Sequence, residues 1–195
     1  RRYLPTAGTD GALYKVGWGF GEMGSLRIEH YNNNNRVIGE EDKFTGYEPT
    51  YDRKEGPADD AVLINLMQVL KDNEGKTPAQ YSAALEAVVD MDSFLIYAAL
   101  SYLTGNPDDM RNNGNNYYIY FNPAENNKAY FIPYDYDWSM GLMWDNMMVM
   151  FGVSPLSTKH KGNDDSWQKN RLYWYTMLES NDNGRNPRYN ITMNR

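Results

Sequence analysis

The sequence predicts an α+β fold in which helices predominate, and three observations lead to this prediction. Apolar residues recur at helical spacing in two segments after residue 57, and a third segment is apolar over most of its length. Two strand-like runs flank a turn near residue 125. The chain has 195 residues, of which 41% are hydrophobic, so it can bury the core of one domain. We expect a single domain over residues 1–195.

Composition excludes several classes of protein. The net charge of -7 argues against nucleic-acid binding, which needs a basic face. The absence of cysteine excludes disulfides, thiolate metal sites and cysteine nucleophiles. No apolar run approaches the roughly 20 residues of a membrane span, so none is expected. Because the chain opens at Arg1 without a leader, we expect it to be part of a longer polypeptide.

The first half of the chain predicts one strand and two capped helices. Residues 12–16 read as a strand, and the Gly-rich residues 17–24 as a flexible loop. After Pro57, Asp59 or Asp60 can cap a helix whose apolar residues recur at 3-1-3 spacing: Leu63, Leu66, Met67 and Leu70. A second helix begins at a capping box of Thr77 and Gln80 with Pro78 between them.

The second half predicts a buried helix, a hairpin and a last helix. Residues 93–104 are apolar on all sides, which is typical of a central buried helix. Residues 116–121 and 129–133 form two strands joined by the turn between them. Residues 167–178 suit one more helix.

Polar residues are concentrated around this hairpin. A loop Asp (Asp108 or Asp109) precedes it, Asn116 opens its first strand, and Asp135 and Asp137 follow its second strand. Because the two strands begin and end at the same end of a hairpin, we expect these side chains to converge. Kinase phosphoryl transfer needs an Asp that takes the acceptor proton, together with an Asn and an Asp that hold metal. Mg²⁺ prefers such oxygen ligands.

The ordered set of motifs resembles the CotH kinase family of atypical protein kinases. The resemblance covers roughly residues 9–141 and includes Leu13-Tyr14-Lys15, the Gly-Asn-Pro-Asp loop at 105–108, the Asn-Tyr-Tyr strand at 116–118, and Ile-Pro-Tyr-Asp-Tyr-Asp at 132–137. It implies a kinase-like C-terminal lobe with a catalytic hairpin, whose N-terminal lobe is largely absent from this chain. It also implies ATP and Mg (or Mn) as cofactors, a spore-coat or cell-surface protein as substrate, and an extracellular, surface or coat location.

Residue by residue, the resemblance implies a catalytic role for Asp108 and metal binding by Asn116, Asp135 and Asp137. The spacing between the Asp and the Asn is longer than the family pattern, so Asp109 remains an alternative to Asp108. Lys15 is a candidate contact for nucleotide phosphate and is not equated with the kinase strand lysine. Tyr134 stands where Trp is commoner in the family.

Alternative interpretations remain for the same residues. Asp108 and Asp109 suit a turn after Pro107, and Asn116 suits a strand start. The whole chain suits a non-catalytic surface module, such as an adhesin or coat scaffold. The acidic cluster suits a structural Ca²⁺ site, although Ca²⁺ needs more oxygen ligands than this loop set obviously supplies.

Overall fold

A mixed five-stranded β-sheet forms the centre of the fold in the computed structural model, which describes residues 10–19, 23–104, 108–110 and 114–137. Within these residues four α-helices accompany the sheet, and helical residues outnumber strand residues, so the predicted α+β class is confirmed. The elements are β1 Leu13–Val16, α1 Ile28–Asn33, β2 Ile38–Gly39, β3 Tyr51–Glu55, α2 Ala61–Asp72, α3 Pro78–Val88, α4 Met91–Thr104, β4 Tyr117–Asn122 and β5 Lys128–Pro133.

The strand order is β2-β3-β1-β4-β5. β1 is antiparallel to both β3 and β4, β4 is antiparallel to β5, and β2 is parallel to β3. The predicted strand and hairpin are therefore confirmed, but the hairpin belongs to a larger sheet. The register places Lys15 of β1 opposite Asp52 on one side and Tyr118 on the other.

Strand β3 has no counterpart in the prediction because its sequence, Tyr-Asp-Arg-Lys-Glu, is highly charged. Its two basic side chains pair with carboxylates outside the strand, and Lys54 also pairs with Asp52 of the strand itself. Arg53 donates to Asp60 at 2.7 Å and to Glu40 at 3.0 Å. Lys54 pairs with Glu41 at 3.4 Å and also with Asp52. Such long-range pairing allows a charged strand inside a sheet, and no local pattern reports it.

Helix α2 confirms the periodic pattern, since Leu63, Leu66, Met67 and Leu70 are all buried. The N-terminal cap of α2 differs from a cap made by the side chain of the N-cap residue. Asp60 occupies the N-cap position with a left-handed φ of 53°, and its side chain makes no cap hydrogen bond. Asp59 instead accepts from the Ala61 amide at 3.1 Å. Asp60 accepts from the Tyr14 hydroxyl at 2.8 Å and thereby ties the start of α2 to β1.

Helix α3 begins as predicted. Thr77 accepts a hydrogen bond from the Gln80 amide at 3.4 Å, and the Gln80 side chain accepts from the Thr77 amide at 3.2 Å. Pro78 occupies the first turn, where a missing N–H costs nothing. The capping box is thus complete.

The sequence predicts that helix α4 is buried on all sides, and the structure differs from this prediction. Asp90 caps it by accepting from the Ser93 amide at 2.8 Å. One face, which includes Phe94, Tyr97 and Ala98, is buried, and α4 packs on β5. The opposite face is exposed within the described residues, with Leu95, Ile96, Leu100 and Leu103 each 43–70% exposed. The prediction was wrong because α4 lies at one edge of the sheet, so only one of its faces meets strands.

The described residues do not test the remaining predictions about architecture. The predicted helix at residues 167–178 lies outside the described part of the chain. The kinase-like C-terminal lobe stays a prediction. No helix of the described residues is both long and apolar enough to cross a membrane.

Candidate functional site

The open end of the β4–β5 hairpin brings Asn116 next to Asp135. Tyr117 pairs with Pro133 as the last register pair, and beyond it the Tyr134 amide donates to the Asn116 carbonyl at 3.1 Å. Asn116 and Asp135 have left-handed φ values of 57° and 56°. Both residues therefore turn the chain away from the strands at the same end of the ribbon.

Asn116 in turn holds Asp108. Its side-chain Nδ2 donates to the main-chain carbonyl of Asp108 and to Asp108 Oδ2, each at 2.9 Å. Asn115 Nδ2 donates to Asp108 Oδ1 at 3.1 Å. Because both amide hydrogens of Asn116 go to Asp108, its Oδ1 remains as the atom that can accept a proton donor or ligate a cation.

The Asp108 loop is fixed against a second loop by two glycines. The Gly24 amide donates to the Gly114 carbonyl at 2.9 Å, and the Tyr117 hydroxyl donates to the Gly24 carbonyl. Gly114 has a φ of +59°, and a Cβ there would lie 3.0 Å from two backbone atoms of Gly24. Only glycine combines this conformation with so close an approach.

A cavity of about 280 Å³ lies at this end of the sheet. Its lining includes three predicted site residues, Lys15, Asn116 and Asp135. Lys15 Nζ lies over the ring of Tyr134, 4.7 Å from its centroid. The other lining residues in the described part of the chain are Val16, Gly17, Trp18, Gly19, Glu41, Glu48, Pro49, Asp52, Asn115 and Tyr134.

The two remaining predicted residues are placed differently. Asp109 is fully buried, and its main-chain carbonyl accepts from the Asn115 amide at 3.4 Å. Asp137 is exposed and is not part of the lining of this cavity in the described structure. Asn116 and Asp135 thus converge, and Asp108 is connected to them through its contact with Asn116. The chemical roles of all these residues stay predictions.

Trp18 is a cavity residue that the sequence reasoning missed. The flanking loop is held by Thr50, whose carbonyl accepts from the Gly17 amide at 3.0 Å and whose hydroxyl donates to the Gly19 carbonyl at 2.7 Å. Trp18 itself is 56% exposed. An aromatic residue between two glycines was the available signal, but the sequence predicts only a flexible loop there.

Acidic side chains dominate the charge of the cavity. Among the described residues, Glu41, Glu48, Asp52 and Asp135 line it, and Lys15 is the one basic lining residue. Asp52 is partly neutralised by Lys54 and accepts from the Glu41 amide at 3.0 Å. A phosphate group would be repelled here unless a cation accompanied it.

Comparison with models of protein families shows to which family this chain belongs. The family described as CotH kinase protein matches residues 2–192, nearly the whole chain. This chain belongs to the CotH kinase family. No curated protein and no solved structure gives a significant match.

For a CotH kinase family member, the donor set at the hairpin end fits Mg²⁺. No group of three or more Asp, Glu or His side chains that could hold a metal occurs among the described residues. Mg²⁺ does not need such a group, because it keeps several waters and is bound by one or two carboxylates plus substrate phosphates. Asp135 and the Oδ1 atom of Asn116 supply oxygen ligands of the required type.

Proposed function

We propose that this chain carries the phosphoryl-transfer site of an ATP- and Mg-dependent protein kinase that acts on Ser or Thr of a spore-coat or cell-surface protein. The observation that carries the proposal is the convergence at the hairpin end. Asn116 is hydrogen-bonded to Asp108 and lines the same cavity as Asp135 and Lys15. Membership in the CotH kinase family supports the class of reaction.

Each residue has a chemical role in this proposal. Asp108 accepts the proton of the acceptor hydroxyl while the hydroxyl oxygen bonds to the γ-phosphorus and the bond to the ADP oxygen breaks. The two Asn amides keep the Asp108 carboxylate in one orientation. Asp135 and Asn116 Oδ1 would hold Mg²⁺, which when bound neutralises phosphate charge. Lys15 would contact a phosphate oxygen by leaving the face of Tyr134.

A non-catalytic surface or coat module is the second candidate, and one observation favours it. Both oxygens of Asp108 already accept a hydrogen bond, Oδ1 from Asn115 and Oδ2 from Asn116. Such an arrangement also serves to close a turn. A carboxylate has about four lone-pair sites, however, so each oxygen can still accept a proton donor from a substrate.

Labelled phosphate transfer distinguishes the two candidates. The protein is incubated with γ-labelled ATP, Mg²⁺ or Mn²⁺ and a Ser-rich coat-type acceptor, and Asp108→Asn and Asp135→Asn are compared with wild type. We expect each variant to lose about 100-fold or more of the transfer rate. Glu86→Gln, at an exposed position of α3, is the matched control.

Two outcomes give a decision. Equal labelling by wild type and both Asp variants would exclude catalysis at this site. An additional Asp137→Asn variant tests the predicted metal role of that residue, because a loss comparable to that of Asp135→Asn requires Asp137 to approach the cavity in the active complex.

A further inference from the structure

Phe44 is the most exposed large apolar side chain in the described part of the chain, at 102% of its full accessible surface. It lies at the tip of a loop, residues 42–47, that is tightly hydrogen-bonded. The Asp42 amide donates to the Tyr47 carbonyl at 2.9 Å, and the Tyr47 amide donates back to Asp42 at 3.0 Å. We call residues 42–47 the Phe44 loop.

Asp42 stabilises the tip of this loop from inside. Its Oδ1 accepts from the Phe44 amide at 2.9 Å, and its Oδ2 accepts from the Thr45 hydroxyl at 2.8 Å. The base of the loop is also fixed, since the Tyr47 hydroxyl donates to the Arg36 carbonyl at 2.7 Å and the Arg36 guanidinium lies over the Tyr47 ring. The loop therefore presents Phe44 in a conformation that exists before any partner binds.

A preformed exposed aromatic side chain suits a binding anchor. Aromatic residues are enriched among the few residues that supply most of an interface's binding free energy. Ordering a flexible loop on binding is a cost that weakens association, and the hydrogen bonds of this loop avoid most of it. A single exposed aromatic residue can be accidental; its position relative to the cavity indicates a role.

The Phe44 loop is flanked by two residues of the candidate site. Glu41 and Glu48, one residue outside each end of the loop, both line the cavity. Three residues of fully extended chain span at most about 11 Å, so Phe44 lies within that distance of Glu41 along the chain. A polypeptide that enters the cavity between Glu41 and Glu48 can therefore contact the Phe44 side chain.

The charge of the rim specifies the kind of polypeptide. Among the described residues, four carboxylates and one lysine line the cavity, Lys54 pairs with two of these carboxylates, and the whole chain carries a net charge of -7. Basic side chains are complementary to this surface, and acidic ones are repelled. Phe44 adds a requirement for apolar side chains near the residue that enters the cavity.

We propose that the Phe44 loop is the docking site for the acceptor polypeptide, which carries Lys or Arg around its Ser or Thr and an apolar cluster that covers Phe44. This inference rests on the proposed function, because it assigns the acceptor of that same site. The loop then sets acceptor affinity and takes no part in the chemical step.

The test uses two fluorescent synthetic peptides, each with a central Ser flanked by Lys residues. One carries Leu and Phe on one side of the Ser, and the other carries Ser at those positions. Binding is measured by anisotropy without ATP, and transfer is measured separately as KM and kcat. Phe44→Ala is compared with Ile96→Ala, an apolar residue of α4 that is 70% exposed. Ile96 is a matched control because α4 packs on β5, at the sheet edge opposite β2.

We expect Phe44→Ala to raise Kd and KM for the apolar peptide about 5- to 20-fold with kcat unchanged. Binding of the second peptide and of Mg-ATP should not change, and Ile96→Ala should behave as wild type. Glu48→Gln should weaken binding of both peptides and reduce the salt dependence.

Failure of this inference is separate from failure of the proposed function. If wild type transfers phosphate and Phe44→Ala binds both peptides as wild type does, the docking role is wrong and the kinase proposal stands. If the apolar peptide binds through Phe44 without transfer, peptide binding by the loop stands, whereas the kinase proposal fails and the bound peptide is not an acceptor. Loss of self-association or of binding to anionic lipid vesicles in Phe44→Ala, with peptide binding unchanged, would assign the loop to a different partner and overturn the inference.

Discussion

Asn116 and Asp108 are joined by two hydrogen bonds of 2.9 Å from one side-chain amide, one to the main-chain carbonyl and one to the carboxylate. The residues are eight positions apart, and the contact closes the loop that leads into β4. It orients the only carboxylate that the two Asn side chains of this loop share in the described structure. The catalytic proposal and the stability of the loop both depend on this pair.

Asn116→Asp tests the pair with little change of shape. The substitution removes both donors and places a second carboxylate about 3 Å from that of Asp108, where like charges repel. We expect the free energy of unfolding at pH 7 to fall by about 1–3 kcal/mol. The loss should be smaller near pH 4, because protonation of one carboxyl group relieves the repulsion. Urea unfolding at the two pH values measures both effects.

Asn126→Asp is the control for this variant. Asn126 is exposed and also has a left-handed φ, of 54°. An equal loss of stability in both variants would show that the backbone conformation, and not the contact with Asp108, accounts for the effect of Asn116→Asp.

The two glycines beside Trp18 should respond very differently to alanine. A Cβ on Gly19 would overlap the backbone of residues 48–50, whereas a Cβ on Gly17 would meet only Asn115 Oδ1 at 3.7 Å. We expect Gly19→Ala to reduce the free energy of unfolding by about 1–3 kcal/mol. Gly17→Ala should stay within about 0.5 kcal/mol of wild type. Urea unfolding of the two variants is the measurement, and a similar loss in both would contradict the close packing of Gly19.

Lys15→Met tests the proposed phosphate contact. Methionine preserves the apolar stem that packs near Tyr134 but removes the charge that would contact phosphate. A hydrogen bond to a charged group contributes about 1.5–3 kcal/mol, so the Kd for Mg-ATP should rise roughly 10- to 100-fold. Titration with a fluorescent ATP analogue measures this change.

Lys128→Met provides the comparison for Lys15→Met. Lys128 begins β5 opposite Asn122, at the other end of the hairpin from the cavity. Unchanged nucleotide affinity is expected for it. If Lys15→Met also leaves the affinity unchanged, Lys15 has no part in nucleotide binding.

Tyr14→Phe should weaken the attachment of α2 to β1. Burial, followed by the hydrogen bond to Asp60, raises the pKa of Tyr14 well above its ordinary value of 10.0. Because the pKa is raised in the folded state, the stabilisation is complete below pH 10 and is lost as the pH rises above it. We expect a loss of about 1–3 kcal/mol at pH 7, and a difference from wild type that shrinks above pH 10.

Urea unfolding at pH 7 and at pH 10.5–11 tests this expectation. Tyr118→Phe, at a half-buried position of the adjacent strand β4, is the control and should change little. If the difference in free energy of unfolding between wild type and Tyr14→Phe did not change with pH, a raised pKa of Tyr14 in the folded state would be contradicted.

Tyr14 also explains why Asp60 is not an ordinary cap. The Tyr14 hydroxyl and Arg53 Nη1 both donate to Asp60 Oδ1, at 2.8 and 2.7 Å, and a left-handed backbone at Asp60 accompanies this contact. The sequence predicts a capping role for Asp59 or Asp60, and Asp59 performs it. The choice between them depends on two strands that no local pattern connects to this helix.

The elements that the sequence by itself determined are those with local causes. Helix α2 follows from the spacing of its apolar residues, α3 from the Thr77–Gln80 capping box, and the β4–β5 hairpin from two strands around one turn. Each of these signals acts between residues a few positions apart. The convergence of Asn116 and Asp135 was predictable for the same reason, since a hairpin returns the chain to where it started.

Only the tertiary structure decided the position of β3, the covered face of α4 and the composition of the cavity. β3 is stabilised by pairing of Arg53 and Lys54 with Glu40 and Glu41, thirteen positions earlier in the chain, and the buried face of α4 packs on β5. The cavity collects residues from β1, the loops around residues 41 and 48, and the hairpin end. Hydrogen bonds, ion pairs and burial depend on distances in space, and separations along the chain do not specify those distances.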